Sequence, residues 1–207
     1  MARAPRRESK PQSRNRAAGQ IRIISGQWRG RRLPVGDKEG LRPTTDRVRE
    51  TLFNWLMGEI SGARVLDCFS GSGALALEAL SRHAAHATLM ELDPAVASQL
   101  KRNLAALGTH CGTVSQGDTL AQLARPASVP YDIVFVDPPF RQGLVSPCLT
   151  QLEQQGYLKP GSWIYVESES EAGALSVPAH WSLHREKSAG QVTYRLYQRQ
   201  ESQGEEQ

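Results

Sequence analysis

The residues with the most specific chemistry are Asp137-Pro138-Pro139-Phe140, which directly follow the apolar run YDIVFV at Tyr131–Val136. Two consecutive prolines can enter neither a helix nor a sheet ladder, so they set a stiff, extended turn at the end of a strand. The Asp137 carboxylate and the Pro138 carbonyl are then acceptors held in place. Such a pair suits an exocyclic amine: it takes the N–H hydrogens, aims the nitrogen lone pair at an electrophile and stabilises the positive charge of attack. Phe140 offers a flat face on which an extruded base stacks. A strand end with a Pro-rich turn and a core Phe is the competing account.

A second constellation lies upstream. In VLDCFSGSGALA, residues 65–76, a glycine-rich turn holding Phe69, Ser70, Gly71 and Gly73 links a strand to a helix, where doubly wound folds bind nucleotides. The spacing of Gly71, Gly73 and Ala76 also satisfies the dinucleotide fingerprint, so the loop alone does not name its ligand. Asp67 argues against pyrophosphate, because a carboxylate at the strand end repels phosphate and attracts a cation. The sulfonium and amino group of S-adenosylmethionine are such a target. A tight turn in which Asp67 caps a neighbouring helix is the plain structural reading. Glu91, ending the next strand, is expected to accept from ribose hydroxyls, with Asp93 capping the helix that Pro94 opens. Asp118 ends a third strand and either accepts from an adenine amino group or caps the helix that follows it.

These residues need a scaffold, and the hydrophobic pattern supplies one. Strands are predicted at 65–68, 87–91, 112–116, 131–136 and 162–167, alternating with helices at 73–82, 94–107, 119–124 and 144–155. A terminal hairpin spans 181–186 and 191–198. Strand then helix, repeated, predicts an α/β fold: a mostly parallel sheet with helices on both faces. Upstream, Ile21, Ile23, Ile24, Trp28 and Leu33 with Gly26 and Gly30 read as a small hairpin. Thr44 or Thr45 caps a helix carrying Val48, Leu52, Trp55 and Leu56 and ending at Gly58.

Composition bounds the function. The 207 residues are 39% hydrophobic and 22% charged, enough for one ordinary domain, and no stretch approaches a membrane span or a secretory signal. Residues 1–50 carry a net charge of +9 and residues 51–207 one of −5. The Arg-rich N-terminal segment suits phosphate and hence nucleic acid, with a solvated tail as the plain alternative. A mitochondrial transit peptide fits poorly, since Pro5 and Pro11 interrupt its helix. Cys68, Cys111 and Cys148 form no CxxC pair, which speaks against disulfides and structural zinc and for small buried hydrophobes. His83, His86, His110, His180 and His184 form no ligand cluster, so no metal is expected.

The loop at 65–76, the acidic strand end at Glu91 and the Asp137–Phe140 tetrapeptide together resemble class I S-adenosylmethionine-dependent methyltransferases acting on exocyclic amines. IISGQWRGRRL at 23–33, LRPTTDRVRETLFN at 41–54 and the ending at 181–197 narrow the resemblance to the bacterial 16S ribosomal RNA guanine-N2 methyltransferase family RsmD. It covers about 20–199. The resemblance implies a seven-stranded sheet with a small basic N-terminal hairpin, and methylation of the guanine at position 966 on an assembled small (30S) subunit. It further implies that the helix starting near Thr44 lies against the methionine end of the cofactor and that the hairpin meets RNA, with Arg29, Arg31, Arg32, Arg42, Arg47 and Arg49 on phosphates. Arg47 and Arg49 have an alternative as partners of Asp46 and Glu50. The expected division is a disordered basic tail at 1–19, an RNA- and cofactor-contacting extension at 20–58, the methyltransferase domain at 59–200 and a disordered tail at 201–207. The expected state is a monomer in the bacterial cytoplasm. Three other readings stay open: a DNA N6-adenine or N4-cytosine methyltransferase, an NAD-dependent oxidoreductase that leaves 137–140 without a role, and a non-catalytic RNA-binding assembly factor.

Overall fold

In a computed structural model of the chain, residues 19–36 and 45–201 are described. Residues 1–18, the segment 37–44 with Arg42 and Thr44, and 202–207 lie outside the described residues. Two short antiparallel strands, β1 (Gln20–Arg22) and β2 (Arg32–Pro34), make the expected hairpin, and α1 (Asp46–Trp55) follows with Thr45 as its N-cap. The main sheet then unfolds as predicted: β3 (Arg64–Asp67), α2 (Ala74–Ser81), β4 (His86–Glu91), α3 (Pro94–Leu107), β5 (Gly112–Gln116), α4 (Thr119–Leu123), β6 (Tyr131–Val136) and α5 (Val145–Gln154). It closes with β7 (Leu158–Glu169), β8 (Trp181–Ala189) and β9 (Val192–Arg199).

The seven strands lie in the order β5-β4-β3-β6-β7-β9-β8. The pairs from β5 to β7 are parallel, and β9 runs antiparallel to β7 and β8. From β3 the chain steps outward through β4 to β5, then returns to the other side of β3 with β6. That reversal is a topological switch point, the place where open α/β sheets leave a crevice at the carboxyl ends of their strands. It puts the ends of β3 and β6 side by side.

One face of the sheet is covered by α1, α2, α3 and the hairpin, the other by α4 and α5. Ile21, Ile23 and Leu33 of the hairpin and Leu52, Phe53 and Leu56 of α1 share a single cluster with Val65, Ile133, Phe135 and Tyr165 of the sheet. The described residues of the extension at 20–58 therefore share the core of the main sheet. Phe53 meets Phe135 edge-on at 6.1 Å, and Phe135 meets Tyr165 at 6.3 Å, so α1 lies over β6 and β7.

The hairpin is tied down by polar groups of α2. Glu78, fully buried, accepts from the backbone N–H groups of Ile24 (2.8 Å) and Ser25 (3.0 Å) and from Arg82 Nε (2.8 Å). Ser81 Oγ donates to the Ser25 carbonyl at 2.6 Å and accepts from Trp28 N–H at 3.0 Å. Gly26 has φ +80°, and a Cβ there would sit 1.8 Å from the Ser81 carbonyl oxygen, so only glycine allows this approach.

Candidate functional site

Register builds the site. Leu89, Asp67, Phe135 and Tyr165 are aligned across β4, β3, β6 and β7. Side chains alternate along a strand, so residues two positions further on return to the same face. Those residues are Glu91 beyond Leu89, Asp137 beyond Phe135 and Glu167 beyond Tyr165. A row of carboxylates thus crosses the carboxyl edge of the sheet, with Asp67 one step below it. Three of the four are the residues the sequence reading chose. Glu167 was overlooked, although it ends the run IYVE in the same way as Asp67 ends VLD, and that parallel was the available signal.

Asp67 is buried, and its carboxyl is pushed up to about 7 by desolvation, then by the neighbouring charges of Asp137 and Glu91; backbone N–H groups of Ala76 and Phe69 pull against that rise. Among the described residues no ion pair joins it to a cation. A carboxylate in this setting favours a positively charged ligand, whose arrival replaces the missing solvation.

The glycine loop is shaped around this group. Ser70 N–H donates to the Met90 carbonyl (2.9 Å) and Ser70 Oγ to the Asp67 carbonyl (3.2 Å), which locks the start of the turn. Gly71 and Gly73 take φ of +49° and +78°, and Gly73 forms the left-handed N-cap of α2. A Cβ at Gly73 would meet the Leu100 side chain at 2.6 Å, so α2 and α3 pack closely there. Phe69 is half-buried against the α4 and α5 side of the sheet.

Glu91 holds the loop from the next strand. One carboxylate oxygen accepts from Gly71 N–H at 2.9 Å and the other from Asp93 N–H at 2.8 Å. Both bonds orient the carboxylate, and each oxygen keeps a further lone pair for a ligand hydroxyl. Asp93 caps α3, accepting from Ala95 and Val96 N–H, as the sequence suggested. Asp118 is exposed and caps α4, accepting from Ala121 N–H at 2.7 Å, so of its two sequence readings the helix cap is the one observed.

The Asp-Pro-Pro-Phe turn leaves the end of β6 with Pro138 buried, Pro139 exposed, and Asp137 and Phe140 half-buried. Arg141 follows in the left-handed region at φ +61°, its N–H donating to the Glu169 carboxylate of β7. Beneath the turn lies a cleft of about 160 Å³ whose walls include Pro138, Phe140, Val145, Glu167 and Leu175.

The arginines divide. Arg29, Arg32 and Arg47 are exposed. Arg31 is exposed but lays its guanidinium on the Ala106 carbonyl (2.8 Å), near the C-terminal end of α3. Arg49 corrects the expectation of a phosphate contact: it is buried at 2% exposure and donates to the Arg22 carbonyl (2.9 Å) and to Asp46 (2.6 Å), joining α1 to β1. It faces inward because its position on α1 belongs to the same stripe as Leu52, Phe53 and Leu56. Asp46, between Arg49 and Arg22, is held below the usual carboxylate range chiefly by the Arg49 bond.

Cys68 and Cys148 are buried, while Cys111 is exposed, which departs from the small buried hydrophobe expected there. Among the described residues no group of three or more His, Cys, Asp or Glu side chains gathers as a metal site would, and no helix is long and apolar enough to cross a membrane.

Comparison with known proteins gives a consistent picture. The family described as "Conserved hypothetical protein 95" matches residues 21–198. The Escherichia coli (strain K12) protein named "Ribosomal RNA small subunit methyltransferase D" is 62% identical over 188 residues, covering 91% of this chain and 94% of its own. Its Haemophilus influenzae namesake is 49% identical over 185 residues, covering 88% and 95%. Among solved structures, the "putative methyltransferase yhhF" of Escherichia coli superposes with a TM-score of 0.84 at 61% identity, over 89% of this chain and all of that one.

Proposed function

The chain belongs to the conserved hypothetical protein 95 family, and from that premise we propose that it is an S-adenosylmethionine-dependent methyltransferase of small-subunit ribosomal RNA, acting on the exocyclic N2 of a guanine. The observation that carries this reading is the pairing of Asp67 and Asp137 at the switch point. A buried carboxylate suited to a cation stands beside a rigid pair of acceptors suited to an amine. The relatives' names support the reaction and the ribosomal RNA substrate. The base, the position 966 given by resemblance, and action on an assembled 30S particle are the finer part of the proposal.

The residues present fit the cofactor. Asp67 would hold its positive methionine end, Glu91 its ribose hydroxyls, and the backbone of Phe69, Ser70, Gly71 and Gly73 would line it; Thr44 and the adenine side at Asp118 remain part of the proposed set. When bound, S-adenosylmethionine supplies an electrophilic methyl group on sulfur. The chain's own residues do the rest. Asp137 Oδ and the Pro138 carbonyl accept the hydrogens of the amine and turn its lone pair towards the methyl. Pro139 keeps that turn rigid, and Phe140 stacks on the extruded base. As positive charge develops on nitrogen, Asp137 stabilises it and accepts the departing proton at its carboxylate. No metal takes part in this scheme. Arg29, Arg32 and Arg47, with Arg42 and the partly engaged Arg31, would hold phosphates, so binding should weaken steeply with salt. The protein would act as a monomer in the bacterial cytoplasm.

The test is transfer of labelled methyl from S-adenosylmethionine to small ribosomal subunits lacking the modification, beside naked 16S RNA and DNA, followed by nucleoside analysis. The expected product is N2-methylguanosine on the particle, with kcat reduced about 10²–10³-fold in Asp137→Ala. Methylated adenine or cytosine in DNA, or no transfer despite S-adenosylhomocysteine binding, would overturn the reading.

A further inference from the structure

Glu167 is a buried carboxylate at the carboxyl edge of the sheet that the scheme above leaves without a task. It lies on β7, next to β6, and the last paired positions before it and before Asp137 are Val166 and Val136, which are aligned with each other. Neighbouring strands lie about 4.8 Å apart. Glu167 and Asp137 are therefore side by side on the same face, and both act electrostatically on the Tyr165 hydroxyl. Only 5% of Glu167 is exposed, and it helps to line the cleft under Pro138 and Phe140. Its carboxylate is oriented from below by the Tyr165 hydroxyl, which donates to it at 2.7 Å.

The three bases with exocyclic amines differ in the ring atom beside the amine. In guanine, N2 is next to N1–H, a donor. In adenine the neighbour of N6 is N1, and in cytosine the neighbour of N4 is N3, both acceptors. A second carboxylate beside the amine's own acceptor thus attracts guanine and repels the other two. A carboxylate has about four lone-pair sites, so accepting from Tyr165 is compatible with accepting from a base. In a desolvated site, a missing or mismatched hydrogen bond discriminates strongly.

We propose that Glu167 is the specificity-determining residue for the acceptor base, its carboxylate accepting the N1–H of the guanine whose N2 amine Asp137 holds, with Tyr165 as the residue that positions it. The inference rests on the methyltransferase reading and adds the means by which the site selects its base.

The experiment compares small-subunit particles reconstituted with guanine or with 2-aminopurine at the methylated position. 2-Aminopurine keeps the N2 amine but offers an N1 lone pair in place of N1–H. Wild type is expected to prefer guanine by about 100-fold or more in kcat/KM. Glu167→Gln presents an N–H₂ that can donate to that lone pair, and should narrow the preference by about tenfold or more while S-adenosylhomocysteine affinity holds. Tyr165→Phe should narrow it by a smaller factor, and it carries the test if Glu167→Gln fails to bind S-adenosylhomocysteine. Equal losses on both bases, or an unchanged preference in a variant that binds S-adenosylhomocysteine, would overturn the proposal. If wild type transfers nothing to the guanine particle, the function reading itself fails, and the base selection that rests on it fails too.

Discussion

Glu78 and Asp67 are both buried carboxylates, one on α2 and one at the end of β3, and their surroundings treat negative charge in opposite ways. Around Glu78 the protein supplies two backbone N–H donors and a guanidinium, and the carboxylate acts as a clamp between helix and hairpin. Around Asp67 it supplies two backbone donors, but burial first, and then the charges of Asp137 and Glu91, push the carboxyl up to about 7. A charge given its counter-charge by the fold is structural. A charge placed beside like charges is suited to a ligand that brings the counter-charge.

The largest expected effect is on the clamp. Glu78→Gln should cost about 3–5 kcal/mol in urea or thermal unfolding, because it leaves Arg82 unpaired and puts an amide among donors. A loss under about 1 kcal/mol would remove the distinction. Asp67→Asn should act in the other direction. The group titrates near 3.8 unfolded and about 7 folded, so the folded state binds the proton more tightly and the stability it contributes falls as pH rises from about 4 through about 7. At pH 8 the variant should be more stable than the parent by about 4 kcal/mol, and the gain should vanish below about pH 4. The same variant should bind S-adenosylmethionine at least about 100-fold more weakly. In the parent, affinity should fall as pH drops below about 7, since the proton on Asp67 opposes the cation; a flat profile from pH 6 to 8 would count against Asp67 as the cation's partner. The smallest effect belongs to the edge of the clamp: Ser81→Ala, which leaves Trp28 N–H and the Ser25 carbonyl unpaired, should cost about 1–2 kcal/mol with cofactor affinity unchanged.

Much of this site was legible in the chain because its parts are local. A glycine turn after a strand, an acid at a strand end and two prolines after an apolar run are each specified by a few adjacent residues, and each lies at the predicted strand end. Asp93 could be read as a cap for the same reason, since Pro94 follows it. Arg49 could be read either as a phosphate contact or as a partner of Asp46, and only its burial decides for Asp46, because charge alone does not tell which face of a helix is covered. Glu78 escaped notice because the donors that make it structural, Ile24 and Ser25, are more than fifty residues away. Glu167 escaped because its importance comes from the strand beside it.

By itself, then, the sequence determined the alternation of strands and helices, the glycine loop, the acidic strand ends and the rigid turn, since propensity, periodicity and turn chemistry act over a few residues. Its resemblance to a known family pointed to the reaction. Only the tertiary structure decided which carboxylates stand together. The order β4-β3-β6-β7 brings Glu91, Asp67, Asp137 and Glu167 to one edge from positions up to 100 residues apart, a convergence that no local stretch of sequence contains.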